Sequence, residues 1–186
     1  MLKSSLNKLN VLNLVVSCVA IACLTSLMHC HRDQPKPKTE LEKLPAATQT
    51  GAYTFGCLVN GKAWVTRTTI DASAINQLGM LQIGAEIQTS SVNQTMFVFI
   101  KDSIVSVKSY SFDDKARQYS LFSDYTDLNN PCEFYADGIN GDGRLSVTKF
   151  DQTKLIVSGT FSFTAWTARC DTIKVTEGRF DLHYIP

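Results

Sequence analysis

Alternation of apolar and polar residues with a period of two is the strongest constraint in this sequence. From about Tyr53 onward the two classes exchange places at every second position, and turn-forming residues recur at short intervals. In residues 81–87, Leu, Ile, Ala and Ile alternate with Gln, Gly and Glu. Successive side chains of a strand point to opposite faces. The pattern therefore predicts a single antiparallel all-β domain, either a β-sandwich or a partly closed β-barrel.

Individual elements can be placed on this pattern. Asn60-Gly61 between two apolar runs predicts a hairpin, because both turn positions need a positive φ. The apolar run 96–100 predicts a central strand covered on both faces. A short helical piece is predicted around residues 72–78. Further strands are predicted at residues 105–112, 116–122, 132–136, 144–150, 154–165 and 170–184.

The last predicted strand changes phase partway along its length. Ile173 and Val175 share one phase, whereas Phe180 falls in the other. An extra residue in one strand of a pair shifts the alternation by one position. A β-bulge at Glu177-Gly178 is therefore predicted, since it would turn both sets of apolar side chains inward.

The first 30 residues are typical of a targeting segment. Lys3 and Lys8 form a basic start, and residues 11–28 are mostly apolar without a charged side chain. A bacterial export signal has this order of charge, apolar run and processing site. The run is also close to the length of a membrane-spanning helix, so an uncleaved anchor is the alternative.

Cysteine at the end of the apolar run favours a lipoprotein signal. Leu27-Met28-His29-Cys30 precedes polar sequence and resembles the lipobox, in which a cysteine becomes the lipid-bearing first residue of the mature chain. His29 departs from that motif, where a small residue normally stands. Cys23 has a better preceding residue, but lipidation there would leave an apolar stretch on the mature chain. Cys30 is the predicted lipidation site and Cys23 the alternative; ordinary cysteines of an apolar helix are the remaining interpretation.

The chain is thus predicted to have three parts: a lipoprotein signal peptide at 1–29, a lipidated polar linker at 30–50 and an all-β domain at 51–186. Three prolines and alternating charges in the linker are typical of an extended spacer. Such a spacer would hold the domain away from a membrane. The expected location is the cell envelope, with the outer membrane favoured and its face left open.

Charge argues against a nucleic-acid partner. The chain has 18 Lys and Arg against 17 Asp and Glu, and two of the lysines lie in the predicted signal. A surface that binds nucleic acid needs a basic excess to replace phosphate counterions. The expected partners are the membrane, through the lipid, and an envelope protein, glycan or small molecule of unknown identity.

Residue sets for catalysis are sparse. His183 is the histidine of the predicted domain, and its strand phase predicts that it faces water. A Ser-His-Asp or Cys-His set would have to use it. The acidic residues show no spacing that selects a pair for glycoside hydrolysis, and no glycine-rich phosphate loop is present. We therefore expect no catalytic residue and no cofactor.

The cysteines and acidic loops do not predict a metal site. Cys57, Cys132 and Cys170 are too far apart for zinc and, in an exported protein, are first of all disulfide candidates. Cys132 with Cys170 is the favoured pair, because both lie near strand ends; three free thiols are the alternative. Residues 137–143 resemble a calcium loop only superficially, because Ile139 stands where an oxygen ligand is needed.

Aromatic residues offer one candidate ligand surface. Trp64, Tyr125, Tyr135 and Trp166 could form a platform for a sugar, although aromatic residues in β-domains more often pack in the core. Trp166 is the best candidate, because its phase predicts an outward side chain. We take Trp166, Trp64 and Tyr135 as the candidate ligand-binding residues.

Three segments carry a resemblance to a known family. Residues 55–64 (FGCLVNGKAW), 158–163 (SGTFSF) and 176–181 (TEGRFD) resemble an uncharacterised family of small lipoproteins from Bacteroidetes. The resemblance covers roughly residues 30–186. It implies a lipid-anchored signal before one β-rich domain and a cell-envelope location, and it transfers no catalytic or binding residue.

Three functions remain open at this point. The favoured interpretation is a non-enzymatic envelope lipoprotein of unknown molecular activity that binds a partner or acts structurally. A barrel-type carrier of a small apolar ligand would enclose a cavity lined by residues such as Phe97, Phe99, Phe161 and Phe163. A hydrolase would bring two carboxylates together in a groove and raise the pKa of at least one of them.

Overall fold

The computed structural model describes residues 36–66, 68–102, 105–113 and 117–186. Strands make up nearly all the regular structure in these ranges. A compact unit runs from Lys38 to Pro186. The predicted signal segment and both candidate lipidation sites, Cys30 and Cys23, lie outside the described residues. Within the described ranges, no helix combines the length and the apolarity needed to cross a membrane.

The strands are β1 (Thr54–Val59), β2 (Lys62–Val65), β3 (Ala72–Gln77), β4 (Met80–Gln88), β5 (Asn93–Lys101), β6 (Ser109–Ser111), β7 (Gln118–Asp124), β8 (Cys132–Ala136), β9 (Gly141–Asp151), β10 (Ile156–Thr167) and β11 (Asp171–Ile185). A 3-10 turn at Leu41–Lys43 precedes them. The predicted all-β domain is confirmed.

These strands form one curled, half-barrel sheet. Their order is β6-β9-β10-β11-β3-β4-β5-β7-β8, and β1 pairs with β11 and β2 off this path. Every pairing is antiparallel except a short parallel contact in which Tyr184 of β11 faces Ala74 of β3. β11 pairs with β10 and β1 before its end reaches β3. One long strand therefore joins the two halves of the sheet.

Side chains from both halves meet in a single apolar core. The ring of Phe55 lies 5.2 Å from that of Phe161 and 5.9 Å from that of Trp64, and Trp64 lies 6.3 Å from Phe122. Burying such aromatic side chains is a large source of stability, and edge-to-face pairs add about 1 kcal/mol each. The core thus extends from β1 and β10 across to β7.

The predicted hairpin turn at Asn60-Gly61 and the predicted bulge at Glu177-Gly178 are both confirmed. Asn60 and Gly61 form the β1–β2 turn with φ of 49° and 79°. In β11, the partners of Phe161 and Phe163 are Gly178 and Val175, so two residues of β11 face one of β10. This bulge lets side chains on both sides of it enter the core.

The predicted helical piece at residues 72–78 is wrong, because Ala72–Gln77 form β3. β3 pairs with β4 along its whole length, through a turn in which Leu78 and Gly79 have φ of 52° and 73°. Its end also meets β11. Pairing on both sides outweighs the weak helix preference of a short segment.

The apolar run at residues 96–100 lies in the central strand β5, as predicted, but it is not covered on both faces. Phe97 and Phe99 are only half-buried and lie on the outer face. They pack against neighbours within that face: Phe99 lies 5.0 Å from Tyr119, and the Phe97 ring occupies the space above Gly84. Lateral packing of aromatic rings replaces a second layer here.

Residues 38–50, which the sequence places in the polar linker, pack onto the sheet. The carboxylate of Glu40 accepts a hydrogen bond of 2.8 Å from the backbone N–H of Ala63, and Leu44 is buried. The compact unit accordingly begins at Lys38 and not at residue 51. We call residues 38–52 the N-terminal strap.

Asp181 of β11 holds the strap in place. Its fully buried carboxylate accepts hydrogen bonds from the hydroxyls of Thr48 (2.6 Å) and Ser158 (2.7 Å) and from the backbone N–H groups of Thr50 (2.9 Å), Gly51 (2.8 Å) and Ala52 (3.1 Å). Burial alone would raise the pKa of Asp181, but these hydrogen bonds outweigh it and hold the pKa well below its usual range. Asp181 is therefore a structural anion.

Candidate functional site

A groove of about 600 Å³ lies on the outer face of β9, β10 and β11. Its lining combines two arginines with several hydroxyl side chains: Ala47, Arg144, Ser146, Thr160, Phe161, Ser162, Thr176, Glu177, Gly178 and Arg179. We call it the arginine groove. Thr160 and Ser162 are exposed, whereas Phe161 between them is buried, so the groove lies on the solvent side of the sheet.

Strand register places the arginines on either side of β10. Arg144 of β9 pairs with Ser162, and Arg179 of β11 pairs with Thr160. Directly paired residues share a face of the sheet. Adjacent strands lie about 5 Å apart, and the β10 partners of the two arginines are two positions apart, so the arginine backbones are separated by roughly 12 Å. Arginine side chains can span that gap from both sides.

The bulge in β11 brings Thr176 and Arg179 to the same face. In a regular strand, residues three apart point to opposite faces. Here Glu177 adopts a φ of 56°, an unusual conformation for a residue with a side chain. Gly178 leaves no room for a side chain, because a Cβ atom there would lie 2.5 Å from the carbonyl oxygen of Phe161. The irregularity therefore builds one wall of the groove.

Arg179 is held in a fixed orientation. Its Nε donates to the carbonyl oxygen of Glu177 (3.2 Å), Nη1 to the carbonyl oxygen of Pro45 (3.4 Å) and Nη2 to the carboxylate of Glu177 (3.2 Å). The side chain is 21% exposed. A guanidinium has five N–H donors, so these bonds leave two for a ligand. The strap thus helps to orient a groove residue.

Arg144 differs from Arg179 in being exposed and unpaired. Across the part of the chain that the structure describes, its guanidinium has no hydrogen-bond or ion-pair partner. The groove therefore contains two arginines against the single carboxylate of Glu177, which is 54% exposed. This balance favours an anionic ligand.

A second groove of about 530 Å³ adjoins the first across Arg144 and Ser162. It also contains Asp113 and Asp142. The outer face of β9 and β10 therefore changes from a cationic region beside β11 to an acidic region beside β6. A ligand that covers both grooves would meet hydrogen-bond donors at one end and acceptors at the other.

The structure does not bring the three candidate ligand-binding residues together. Trp64 is buried in the core, where its indole N–H donates to the side chain of Gln94 at 2.9 Å. Tyr135 is half-buried on the outer face of β8, with its ring 6.4 Å from that of Tyr119. Trp166 is 51% exposed and shares the outward face of β10 with Ser162. Trp166 is the one of the three that belongs to the face of the grooves.

The aromatic face around Tyr135 is a separate feature. It consists of half-buried side chains on the outer face of β5, β7 and β8: Phe97, Phe99, Tyr119, Leu121 and Tyr135. Phe161 and Phe163 lie in the core instead. The four phenylalanines considered for a carrier cavity therefore do not surround one space.

A disulfide joins Cys132 and Cys170, the pair that the sequence analysis favours, with their Cα atoms 5.9 Å apart. It ties the start of β8 to the β10–β11 turn. Cys57 is buried and free, with its sulfur 3.9 Å from that of Met96. Burial raises the pKa of the Cys57 thiol to about 12, so it is a poor nucleophile.

The remaining candidates for chemistry have structural contacts. His183 is half-buried and its ring stacks on that of Tyr53 at 5.0 Å. Asp137 accepts hydrogen bonds from the backbone N–H groups of Ile139 (3.1 Å) and Asn140 (2.9 Å), as in an Asx turn. Within the described ranges, no group of three or more His, Cys, Asp or Glu side chains is placed to hold a metal ion.

The sequence alone does not identify the two arginines of the groove. Their partnership depends on the register of β9, β10 and β11, which alternation alone does not supply. Two signals were present: the predicted bulge, which turns Arg179 outward, and the outward hydroxyls Thr160 and Ser162 on a strand with an apolar inner face. Together they indicate an unusual polar surface without identifying its arginines.

Comparison with models of protein families matches residues 52–182 to a domain of unknown function (DUF6252). Comparisons with curated proteins and with solved structures find no match. The matched segment contains β1 to β10 and most of β11, including both arginines of the groove. The chain therefore belongs to the DUF6252 family.

Proposed function

We propose that this protein is a non-enzymatic binding module of the cell envelope that takes a polar ligand in the arginine groove. The observation that carries the proposal is that two arginines line one groove together with several hydroxyl side chains. Arg179 is already oriented by hydrogen bonds, whereas Arg144 has no partner among the described residues. Binding sites achieve specificity with a few fixed polar groups of this kind. Because Arg179 is already oriented, a ligand would bind with less loss of side-chain entropy.

The chemistry of the described residues favours binding over catalysis. The carboxyl pKa lies below its usual value at Glu40, Glu42, Asp127, Asp151 and Asp181. A carboxylate hydrolase would need at least one raised carboxyl pKa to supply its general acid. The carrier function has less support too, because Phe97 and Phe99 lie outside the core.

The envelope location is supported by the sequence. The order of basic start, apolar run and Cys30 matches an export signal followed by lipidation. The resemblance to small Bacteroidetes lipoproteins points to the same location. A disulfide between Cys132 and Cys170 is typical of exported proteins.

Labelling with radioactive palmitate tests the anchor. The full chain should incorporate label, Cys30→Ala should lose it, and Cys23→Ala should retain it. Unchanged labelling of the Cys30→Ala variant would contradict the choice of Cys30. A protein that takes up no label at all would contradict the lipoprotein assignment.

A screen of immobilised glycans and envelope extracts tests the groove. The full chain in detergent is compared with Ser162→Trp, which fills the groove, and with Ser73→Trp, a matched change of an exposed strand serine on β3. Any ligand that binds in the groove should be lost with Ser162→Trp and kept with Ser73→Trp. Equal binding by both variants would place the ligand site elsewhere.

A further inference from the structure

We infer that the ligand of the arginine groove is an acidic oligosaccharide, whose carboxylate lies between Arg144 and Arg179 above the outward side chains of β10. This inference rests on the proposed function and adds the chemical class of the ligand. Three features of the groove carry it: its charge, its hydroxyls and the position of Trp166.

The charge and geometry of the arginines fit one carboxylate. Thr160 and Ser162 lie on β10 between the two arginine-bearing strands. A carboxylate above them would lie in a groove that both arginines line. Arg179 has two N–H donors left and Arg144 has all five, which are enough for charge-assisted hydrogen bonds to both carboxylate oxygens.

Glu177 does not prevent an anion from binding. Its carboxylate accepts from Nη2 of Arg179 at 3.2 Å and so neutralises part of the charge of that arginine. Arg144 then supplies the excess positive charge of the groove. Asp142 belongs to the adjoining groove and lies two positions from Arg144 on β9, opposite Thr164 of β10. The carboxylate of the ligand should therefore lie beside Thr160 and Ser162, away from Asp142.

The hydroxyls favour a saccharide over a simple anion. Ser146, Thr160, Ser162 and Thr176 line the groove, and a hydroxyl can both donate and accept hydrogen bonds. The hydroxyls of a sugar have the same dual character. Asp142 in the adjoining groove adds an acceptor for sugar hydroxyls that lie farther from the carboxylate.

Trp166 extends this surface along β10. It shares the outward face with Ser162, four positions away, so the two residues lie about 13 Å apart along the strand. An exposed indole offers an apolar face to a sugar ring, combined with a polar N–H group. A ligand that reaches from the arginines to Trp166 must contain several sugar rings.

Calorimetric titration tests the inference on the full chain in detergent. The probes are oligogalacturonate, oligomannuronate and hyaluronan fragments, each paired with its methyl ester, which removes the charge and keeps the hydroxyls. At least one acid should bind, and its ester should bind at least tenfold more weakly. Inorganic phosphate, the simple-anion control, should bind at least tenfold more weakly than that acid.

Variants locate the binding. Arg144→Gln should weaken the acid at least tenfold and affect the ester little, whereas Arg169→Gln, a change of an exposed arginine outside the groove, should affect neither. Arg179→Lys keeps the charge but loses the planar guanidinium that can donate two parallel hydrogen bonds, so it should also weaken binding of the acid. Circular dichroism confirms that each variant is folded.

The outcomes separate this inference from the proposed function. Equal binding of acid and ester, with both lost in Ser162→Trp, would overturn the acidic ligand and leave a groove that binds neutral polar ligands. Failure of every acid to bind, or equal binding of phosphate, would overturn the acidic oligosaccharide. Binding of an acid that Ser162→Trp leaves unchanged would overturn the groove itself.

Discussion

Asp181 shows how a single residue can determine where a domain begins. Its buried carboxylate receives hydrogen bonds from Thr48, Thr50, Gly51 and Ala52, and these contacts draw a polar, proline-containing segment onto the sheet. Composition gives no sign of them, since the same residues are typical of an extended spacer. The strap therefore belongs to the compact unit because it is hydrogen-bonded to Asp181, a residue more than one hundred positions away.

Asp181→Asn should lower the free energy of unfolding by about 2–4 kcal/mol at pH 7, because a buried anion loses charge-assisted hydrogen bonds. Urea unfolding measures the effect. Asp171→Asn, at an exposed position of the same strand, is the control and should change stability by less than about 0.5 kcal/mol.

The same variant should change how stability depends on pH. The folded pKa of Asp181 lies below its unfolded value of about 3.9, so its contribution is complete above that value and falls as the pH decreases below it. The difference between wild type and Asp181→Asn should therefore shrink by about 1 kcal/mol between pH 7 and pH 3. A constant difference over that interval would contradict the assigned pKa shift.

Among the secondary-structure elements, features set by local sequence could be predicted, whereas features set by pairing between distant strands could not. The Asn60-Gly61 hairpin and the bulge in β11 follow from turn chemistry and from phase, both readable within a few residues. β3 is a strand because it pairs with β4 and β11, and its own short sequence does not show these pairings. The sequence therefore predicts a helical piece there. The arginine groove was missed for the same reason, since three strands must be in register to build it.

Gly178→Ala tests the bulge. A Cβ atom there would lie 2.5 Å from the carbonyl oxygen of Phe161, so the β10–β11 pairing must shift. We expect a loss of about 1–3 kcal/mol in the free energy of unfolding, the usual cost of overpacking. Thr176→Ala, in the same bulge, introduces no clash and is the control. A Gly178→Ala protein as stable as that control would contradict the close approach.

The disulfide between Cys132 and Cys170 closes a separation of 38 residues and should stabilise the fold by about 4 kcal/mol through loop-closure entropy. Differential alkylation with mass spectrometry measures its state residue by residue. Before reduction, Cys57 alone of the three should react in the denatured protein; after reduction, all three should. Reaction of Cys132 and Cys170 without reduction would contradict the bond.

At the scale of the compact unit, β11 and the disulfide combine two sheet halves into one structure. β11 pairs with strands of both halves, and the shared core contains side chains from β1, β7 and β10. The arginine groove is built on this central region, and the strap that fixes Arg179 is anchored to the same strand through Asp181. Stability and the candidate site therefore depend on common elements.

Unfolding of the Lys38–Pro186 unit should be cooperative as a result. Trp64 reports on the core and Trp166 on the outer face of β10, so their replacement one at a time by Phe separates the two fluorescence signals. The two signals and far-UV circular dichroism should share one midpoint in urea. Distinct midpoints would show that the two halves of the sheet unfold independently.

Arginine side-chain NMR during titration with the acidic oligosaccharide that binds most tightly tests the arginine groove directly. We predict that the Nε–H signals of Arg144 and Arg179 shift in saturable fashion with one common affinity, while those of Arg117 and Arg169 stay in place. Saturable shifts confined to Arg117 or Arg169, or none at Arg144 and Arg179, would contradict the claim that the groove is the ligand site.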